Sequence, residues 1–278
     1  MLMNQIDGFA TDQPSRPEDA DAHGRQCYHA DRVTPFLTAR WLDLCLVTWR
    51  IPADVLLPYL PRGTEPDLRP GDPDDVAYVS YVAFRFLDTR VKGIKVPLHT
   101  DFPEVNLRAY VRETSGARRR GVTFIAELVP KPAIAVIANL LYHEHYRAVP
   151  MHVAVEELGP ERGGLRRMHM SIELGERTHA LTITGRREPM MPAADSAEHF
   201  FKEHEWGFGR SHRGRTISYQ VIHPHWDIYP LLDWEVDLDW GAVYGPEWAF
   251  LHTAQPSSTV FAVGSAVKVY LKRSLPEG

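Results

Sequence analysis

Between Phe36 and Leu271 the chain keeps returning to short runs rich in β-branched and aromatic residues, with glycine- and proline-rich stretches between them. Runs of this kind bury their apolar side chains by pairing into sheets. Phe36–Trp49, Val76–Phe86, Leu107–Arg112, Gly121–Val129, Met151–Leu158, Leu165–Leu174, Thr178–Thr184, Arg215–Ile222, Trp234–Trp240 and Thr259–Leu271 read as strands. Gly163-Gly164 and Gly175-Glu176 supply turn signals between three of them. Helices are fewer. A short one follows Pro52, and a second spans Ser196–Trp206 with Phe200 and Phe201 among acidic residues. A third runs from Pro132 to about Tyr142; it is apolar nearly all round, which predicts burial. The expected class is mainly β: one closed or nearly closed antiparallel sheet system with a few helices. Residues 1–33 are polar, rich in Pro and Asp, and without periodicity, so they read as a flexible tail before a single domain over 34–278.

Charge and motifs remove several function classes. With 31 Lys and Arg against 36 Asp and Glu the net charge is −5, which argues against a nucleic-acid partner. No apolar run approaches the ~20 residues of a membrane helix, so no membrane association is expected. Cys27 and Cys45 are the two cysteines, too few for a disulfide scaffold. The opening residues carry neither a basic nor an apolar leader region, and a cytoplasmic location is expected. There is no G-x-G-x-x-G, Walker or G-x-S-x-G pattern, so no cofactor is expected.

Two groups of residues invite chemistry. His143-x-His145 and His223-Pro-His225 have spacings that suit a metal, but nothing completes a ligand set at diagnostic distance, and no metal is expected. The second group is more specific. Arg50 ends the apolar run CLVTW, Glu104 stands ahead of a strand in FPEVNLRAYV, and PAIAVIANLLYHEHYRA runs from the apolar helix into a His-bearing turn. The plainer account of Arg50 and Glu104 is a buried ion pair that orients a loop.

The order LVTWRIPADVLLPYLPRGTEPD, VSYVAFRF, FPEVNLRAYVR, PAIAVIANLLYHEHYRAVPM, SAEHFFKEHEWGF and YQVIHPHW resembles the DUF2071 (YqjF-like) branch of the acetoacetate decarboxylase-like superfamily, over about residues 35–271. The resemblance implies an antiparallel β-barrel or double sheet with outer helices and a pocket inside. It implies that Arg50 and Glu104 sit in that pocket, where acetoacetate decarboxylases also hold a Schiff-base lysine beside a second lysine. Counted without gaps, the lysine pair falls on His145-Tyr146; with a one-residue gap it falls on Tyr146-Arg147. Neither alignment gives an amine, and no lysine occurs from Pro132 to Phe201. Imine chemistry is therefore not expected at this position.

What the resemblance leaves is a catalytic set of Arg50, Glu104, His145 and Tyr146. Arg50 offers a fork for a carboxylate, Glu104 moves a proton, and His145 and Tyr146 act as acid, base or hydrogen-bond donor. Asn106 and Arg108 alternate with Glu104 on one strand face, and with Tyr142, His143 and Arg147 they complete the candidate ligand contacts. The expected partner is a small carboxylate or oxo acid, handled by a lyase- or isomerase-type enzyme without a Schiff base. A non-catalytic binding or sensor protein with the same pocket remains the alternative. Trp226, Trp234 and Trp240 read as sealing a barrel end or an interface, and a homo-oligomer is expected.

Overall fold

The computed structural model describes residues 34–142, 145–160, 163–211 and 214–275. The expected N-terminal tail, residues 1–33, lies outside the described residues. The strands are β1 (Leu37–Pro52), β2 (Thr64–Pro66), β3 (Val76–Val91), β4 (Ile94–Lys95), β5 (Phe102–Glu113), β6 (Arg120–Val129), β7 (Tyr146–Ala148), β8 (Met151–Leu158), β9 (Leu165–Leu174), β10 (Arg177–Arg186), β11 (Trp206–Arg210), β12 (Thr216–Ile222), β13 (Leu231–Asp237), β14 (Ser258–Val269) and β15 (Arg273–Ser274). The α-helices are α1 (Pro132–Tyr142), α2 (Ala197–Lys202) and α3 (Trp240–Tyr244).

Most strands join one large sheet in the order β2-β5-β3-β1-β14-β12-β11-β6-β7, and an added β5–β6 pairing bends it into a near-closed ring. A second sheet, β13-β10-β9-β8, is antiparallel throughout. The mainly β expectation holds. The large sheet is mixed, however, because β6 pairs in parallel with β7 and with β11. Parallel neighbours need a crossover of about a dozen residues, and α1 supplies one between β6 and β7. At the β6–β11 contact a Cβ on Gly121 would lie 2.3 Å from the Trp206 carbonyl oxygen, so only glycine lets the two backbones approach this closely.

Strand parity explains why β1, β3 and β5 are buried on both faces. Cys45, Val47 and Trp49 of β1, Val79 and Tyr81 of β3, and Val105 and Leu107 of β5 point outward into a core shared with Met168, Met170, Leu181 and Ile183 of the four-stranded sheet. The intervening residues Leu44, Leu46, Val82, Phe84 and Phe86 point into the ring, with Phe102, Tyr219, Val221 and Trp226. At one end Phe201 of α2 packs on Tyr78 and Tyr110 and plugs the ring.

Three expectations shift. The strand predicted from Leu107 begins five residues earlier, at Phe102, and takes in Glu104. The strand predicted over Trp234–Trp240 ends at Asp237, and Trp240 opens α3, capped by the Asp239 side chain. The apolar helix is not buried all round: Val136 and Ile137 are more than half exposed, and Ala135 is its buried residue among those described. Ala133, Ile134, Ile137 and Ala138 line a chamber, and Ile134 also packs on the core.

The two sheets are tied by one carboxylate. Asp43 sits at a bulge in β1 with φ of 57°, a left-handed conformation that Asp tolerates better than branched residues do. It is 1% exposed and accepts hydrogen bonds from Arg85 of β3 and Arg166 of β9. Removing it leaves two half-buried cations facing each other. Asp43→Ala is expected to lower stability by about 3 kcal/mol, and Asp43→Asn by less, because Asn keeps an acceptor and the backbone tolerance. Urea unfolding curves of the three proteins measure this.

A second buried group predicts acid sensitivity. His204 follows α2, is buried, and its Nε2 lies 2.8 Å from Asp67, which also pairs with Arg120. Burial pushes the imidazole from 6.5 down to about 4, against the pull of Asp67. As pH falls below about 6.5, the unfolded chain takes up a proton there that the folded chain refuses. Stability therefore falls with pH until the folded imidazole also titrates, for a loss of about 3 kcal/mol between pH 7 and pH 4. His204→Gln keeps a donor toward Asp67 and removes the titration, so its unfolding midpoint is expected to depend less on pH over this range.

Candidate active site

The ring encloses a chamber of about 230 Å³. Its walls are predominantly apolar, with Trp41, Phe84, Phe86, Phe102, Phe124 and Trp226 among them. Set into those walls are Glu104, Asn106 and Arg108 of β5, Glu127 of β6, Tyr146 of β7, Lys202 of α2, and His223.

Each polar group is placed by the sheet. Glu104, Asn106 and Arg108 alternate along β5 and share its inward face, as their spacing predicts. Asn106 pairs in register with Glu127 on β6, and Glu127 pairs with Tyr146 on β7. Three neighbouring strands thus bring two carboxylates and a phenol together. Asn139 on α1 pins β7: its Nδ2 donates to the Tyr146 carbonyl at 2.9 Å, and its Oδ1 accepts from the Tyr146 amide at 2.8 Å. The Tyr146 hydroxyl donates to Glu104 Oε2 at 3.2 Å, while Asn106 Nδ2 donates to Glu104 Oε1 at 3.2 Å. Glu104 is 3% exposed, so both oxygens are held in a dry environment.

The cations lie beside this group. Arg108 donates through Nη2 to the Phe201 carbonyl, but its Nε is buried with no hydrogen-bond partner among the described residues. The Lys202 side chain is fully buried and pairs with Glu203. His223 stacks on Trp226 with ring centroids 3.9 Å apart, and burial pushes its imidazole below the ordinary range.

Of the residues expected from sequence, Glu104, Asn106, Arg108 and Tyr146 line the chamber together. Arg50 does not join them. It is exposed near the end of β1, opposite Tyr78, and Tyr78 packs against the α2 plug. Glu104 pairs with Phe84, six residues farther along β3, which is roughly 20 Å of strand. The expected convergence of Arg50 with Glu104 is corrected accordingly: the local sequence of Arg50 showed a polar residue beside apolar ones, but not which end of the strand is open. His145 and Arg147 are exposed and do not line the chamber; Arg147 donates to the Val243 carbonyl at 2.7 Å. Arg147 follows Tyr146 on β7 and so points away when Tyr146 points in, while His145 lies just ahead of the strand. His143 and the side chain of Tyr142 lie outside the described residues.

Sequence reasoning missed Glu127 and Lys202, and weighed His223 only as part of a metal-spaced pair, not as a chamber residue. Glu127 carried a legible signal, a lone charge in the strand run GVTFIAELV. Lys202 is one of only six lysines, and it brings an amine to the chamber from α2, not from the turn after α1. Nothing local distinguishes it from a solvated helix-end lysine.

The family model for DUF2071, described as an uncharacterized conserved protein, matches residues 38–266. No curated protein matches the chain. Among solved structures, the chain is similar to an acetoacetate decarboxylase-like enzyme from Sphingomonas wittichii RW1, with 14% identity, a TM-score of 0.56, and coverage of 88% of this chain and 95% of that one. It is similar to the enduracididine biosynthesis enzyme MppR complexed with pyruvate, with 12% identity, a TM-score of 0.55, and coverage of 92% and 95%. It is also similar to acetoacetate decarboxylase from Legionella pneumophila subsp. pneumophila str. Philadelphia 1, with 10% identity, a TM-score of 0.55, and coverage of 96% and 98%. At these identities the structural likeness concerns the fold alone, whereas the family match spans most of the sequence: the chain belongs to the DUF2071 family and is built on the acetoacetate decarboxylase-like fold.

Proposed function

We propose that the chamber binds a small carboxylate or oxo acid with an apolar body, and that Glu104 and Tyr146 move a proton on it. The observation that carries this reading is Arg108. A guanidinium is permanently charged. Here it is set into a mainly apolar chamber with its buried Nε lacking a partner among the described residues. A carboxylate is the ligand that answers such a charge with planar, charge-assisted hydrogen bonds. Lys202 stands in the same lining and adds a second positive group. The pyruvate held by the structurally similar MppR is a ligand of this class.

The chemistry then falls to the buried Glu104. Once an oxo acid is anchored at Arg108, Glu104 is positioned to accept a proton from the carbon beside the carbonyl, and the Tyr146 hydroxyl to donate a hydrogen bond to the enolate oxygen. That is lyase- or isomerase-type work and needs no imine. The second reading, a carrier or sensor, draws on the same carboxylate: Asn106 and Tyr146 hold both Glu104 oxygens, as they would in a purely structural role.

Calorimetry with pyruvate, phenylpyruvate and benzoate tests the binding. Arg108→Met is expected to weaken it about 30-fold or more, the loss of a buried charge pair, and Arg50→Met to leave it unchanged. Equal binding by the Arg108→Met protein would sink the reading. Proton NMR in D2O separates the two roles: loss of the methyl signal of pyruvate in the presence of the protein, abolished by Glu104→Gln, marks an enzyme, and binding without exchange marks a carrier. Borohydride added with acetoacetate is expected to trap no adduct, because an imine needs a free amine and Lys202 is engaged in an ion pair with Glu203. Mass spectrometry showing a reduced adduct on Lys202 would replace this proton-transfer scheme with imine chemistry.

A further inference from the structure

The geometry points to a divalent transition-metal site at His199, Glu203 and His225. The three offer ligand atoms that all lie within 4.8 Å of one another, and they form the one such group among the described residues. Four N and O ligands at about 2.0–2.1 Å around a tetrahedral zinc lie about 3.4 Å apart. Small side-chain rotations close the difference.

The local structure brings the ligands together without strain. His199 and Glu203 are four residues apart across the end of α2, so they share one helical face. His225 comes from the segment after β12 and places Nδ1 2.6 Å from Glu203 Oε2. The His199 and His225 ring centroids sit 5.4 Å apart with the planes tilted by 35°. His199 Nδ1 is buried and has no hydrogen-bond partner among the described residues. A buried ring nitrogen without a partner is costly, and a metal ion would satisfy it.

The surroundings also fit. Metal-bound carboxylates are commonly oriented by a partner outside the ligand set. Glu203 has one in Lys202, which pairs with Oε1 and leaves Oε2 on the His225 side. All three ligands are part-buried, so an ion can enter from solvent and keep a water. Two imidazoles, one carboxylate and an open position suit zinc and its neighbours, whereas calcium and magnesium prefer all-oxygen sites. This site is separate from the carboxylate reading of the chamber and does not depend on it.

The test is equilibrium dialysis of the full chain against Zn2+, with metal analysis, and titration with Co2+ followed by its visible absorption. The expected result is about one ion per chain, lost or weakened about 100-fold in His199→Gln and in His225→Gln. His199 and His225 are both part-buried, and the amide in His225→Gln can still donate to Glu203, so both variants are expected to keep the native circular dichroism. Glu203→Gln serves as the third variant. Retention of Zn2+ by both histidine variants at the affinity of the unaltered chain would overturn the site, as would failure of the unaltered chain to bind Zn2+ or Co2+. Cys27 and His29, near the N-terminus, can also take zinc, and the comparison with the variants distinguishes that outcome as a negative one.

Discussion

The architecture depends on Asp43. The strand β1 must hydrogen-bond β3 and β14 while holding one face to the chamber and the other to the four-stranded sheet. A uniform strand of sixteen residues would twist past one of these contacts. The bulge at Asp43 re-aims the chain, and Gly264 on β14 accommodates it: a Cβ there would lie 2.0 Å from the Trp41 carbonyl oxygen. The carboxylate at the bulge then gathers Arg85 from one sheet and Arg166 from the other. Arg166 also pairs with Glu157 and lies over the Tyr229 ring, so the charge cluster continues into the second sheet.

With the sheets fixed in this way, parity does the rest. Alternate residues of β1, β3 and β5 build a packed core on the outer face and a chamber wall on the inner face. The inner face is largely apolar, and a low-dielectric lining strengthens any charge interaction inside. The polar residues are clustered, not scattered: Glu104, Asn106 and Arg108 on one strand, Glu127 and Tyr146 on its neighbours, Lys202 from the plug. The α2 segment joins several features. Phe201 seals the ring, Lys202 faces the chamber, Glu203 holds Lys202 and His225, and His204 is buried against Asp67.

Several of these features were legible before any tertiary information. The mainly β class followed from the alternation of apolar runs. Glu104, Asn106 and Arg108 were readable as one face because a strand has a period of two, and that period is set by backbone geometry, independent of context. Tyr146 was reached only by counting along a family resemblance, and the same count carried His145 and Arg147 with it. Strand parity separates Tyr146 from Arg147, but no sequence feature said that Tyr146–Ala148 would form a strand at all.

What the sequence determined by itself, then, was what neighbouring residues impose on one another: strand periodicity, the opening of α1 at Pro132, the cap of α3 once its start is known. What only the tertiary structure decided was which end of each strand lies in the chamber and which distant segments meet there. Arg50 and Glu104 both stand beside apolar runs, yet β3 places them at different levels of the ring. Lys202 and Glu203 look like an ordinary charged helix end, yet the plug buries the lysine. Local pattern is carried by backbone geometry over a few residues. Burial and pairing depend on loop closure over tens to hundreds of residues, and the side chains that meet there leave no mark on one another's local sequence.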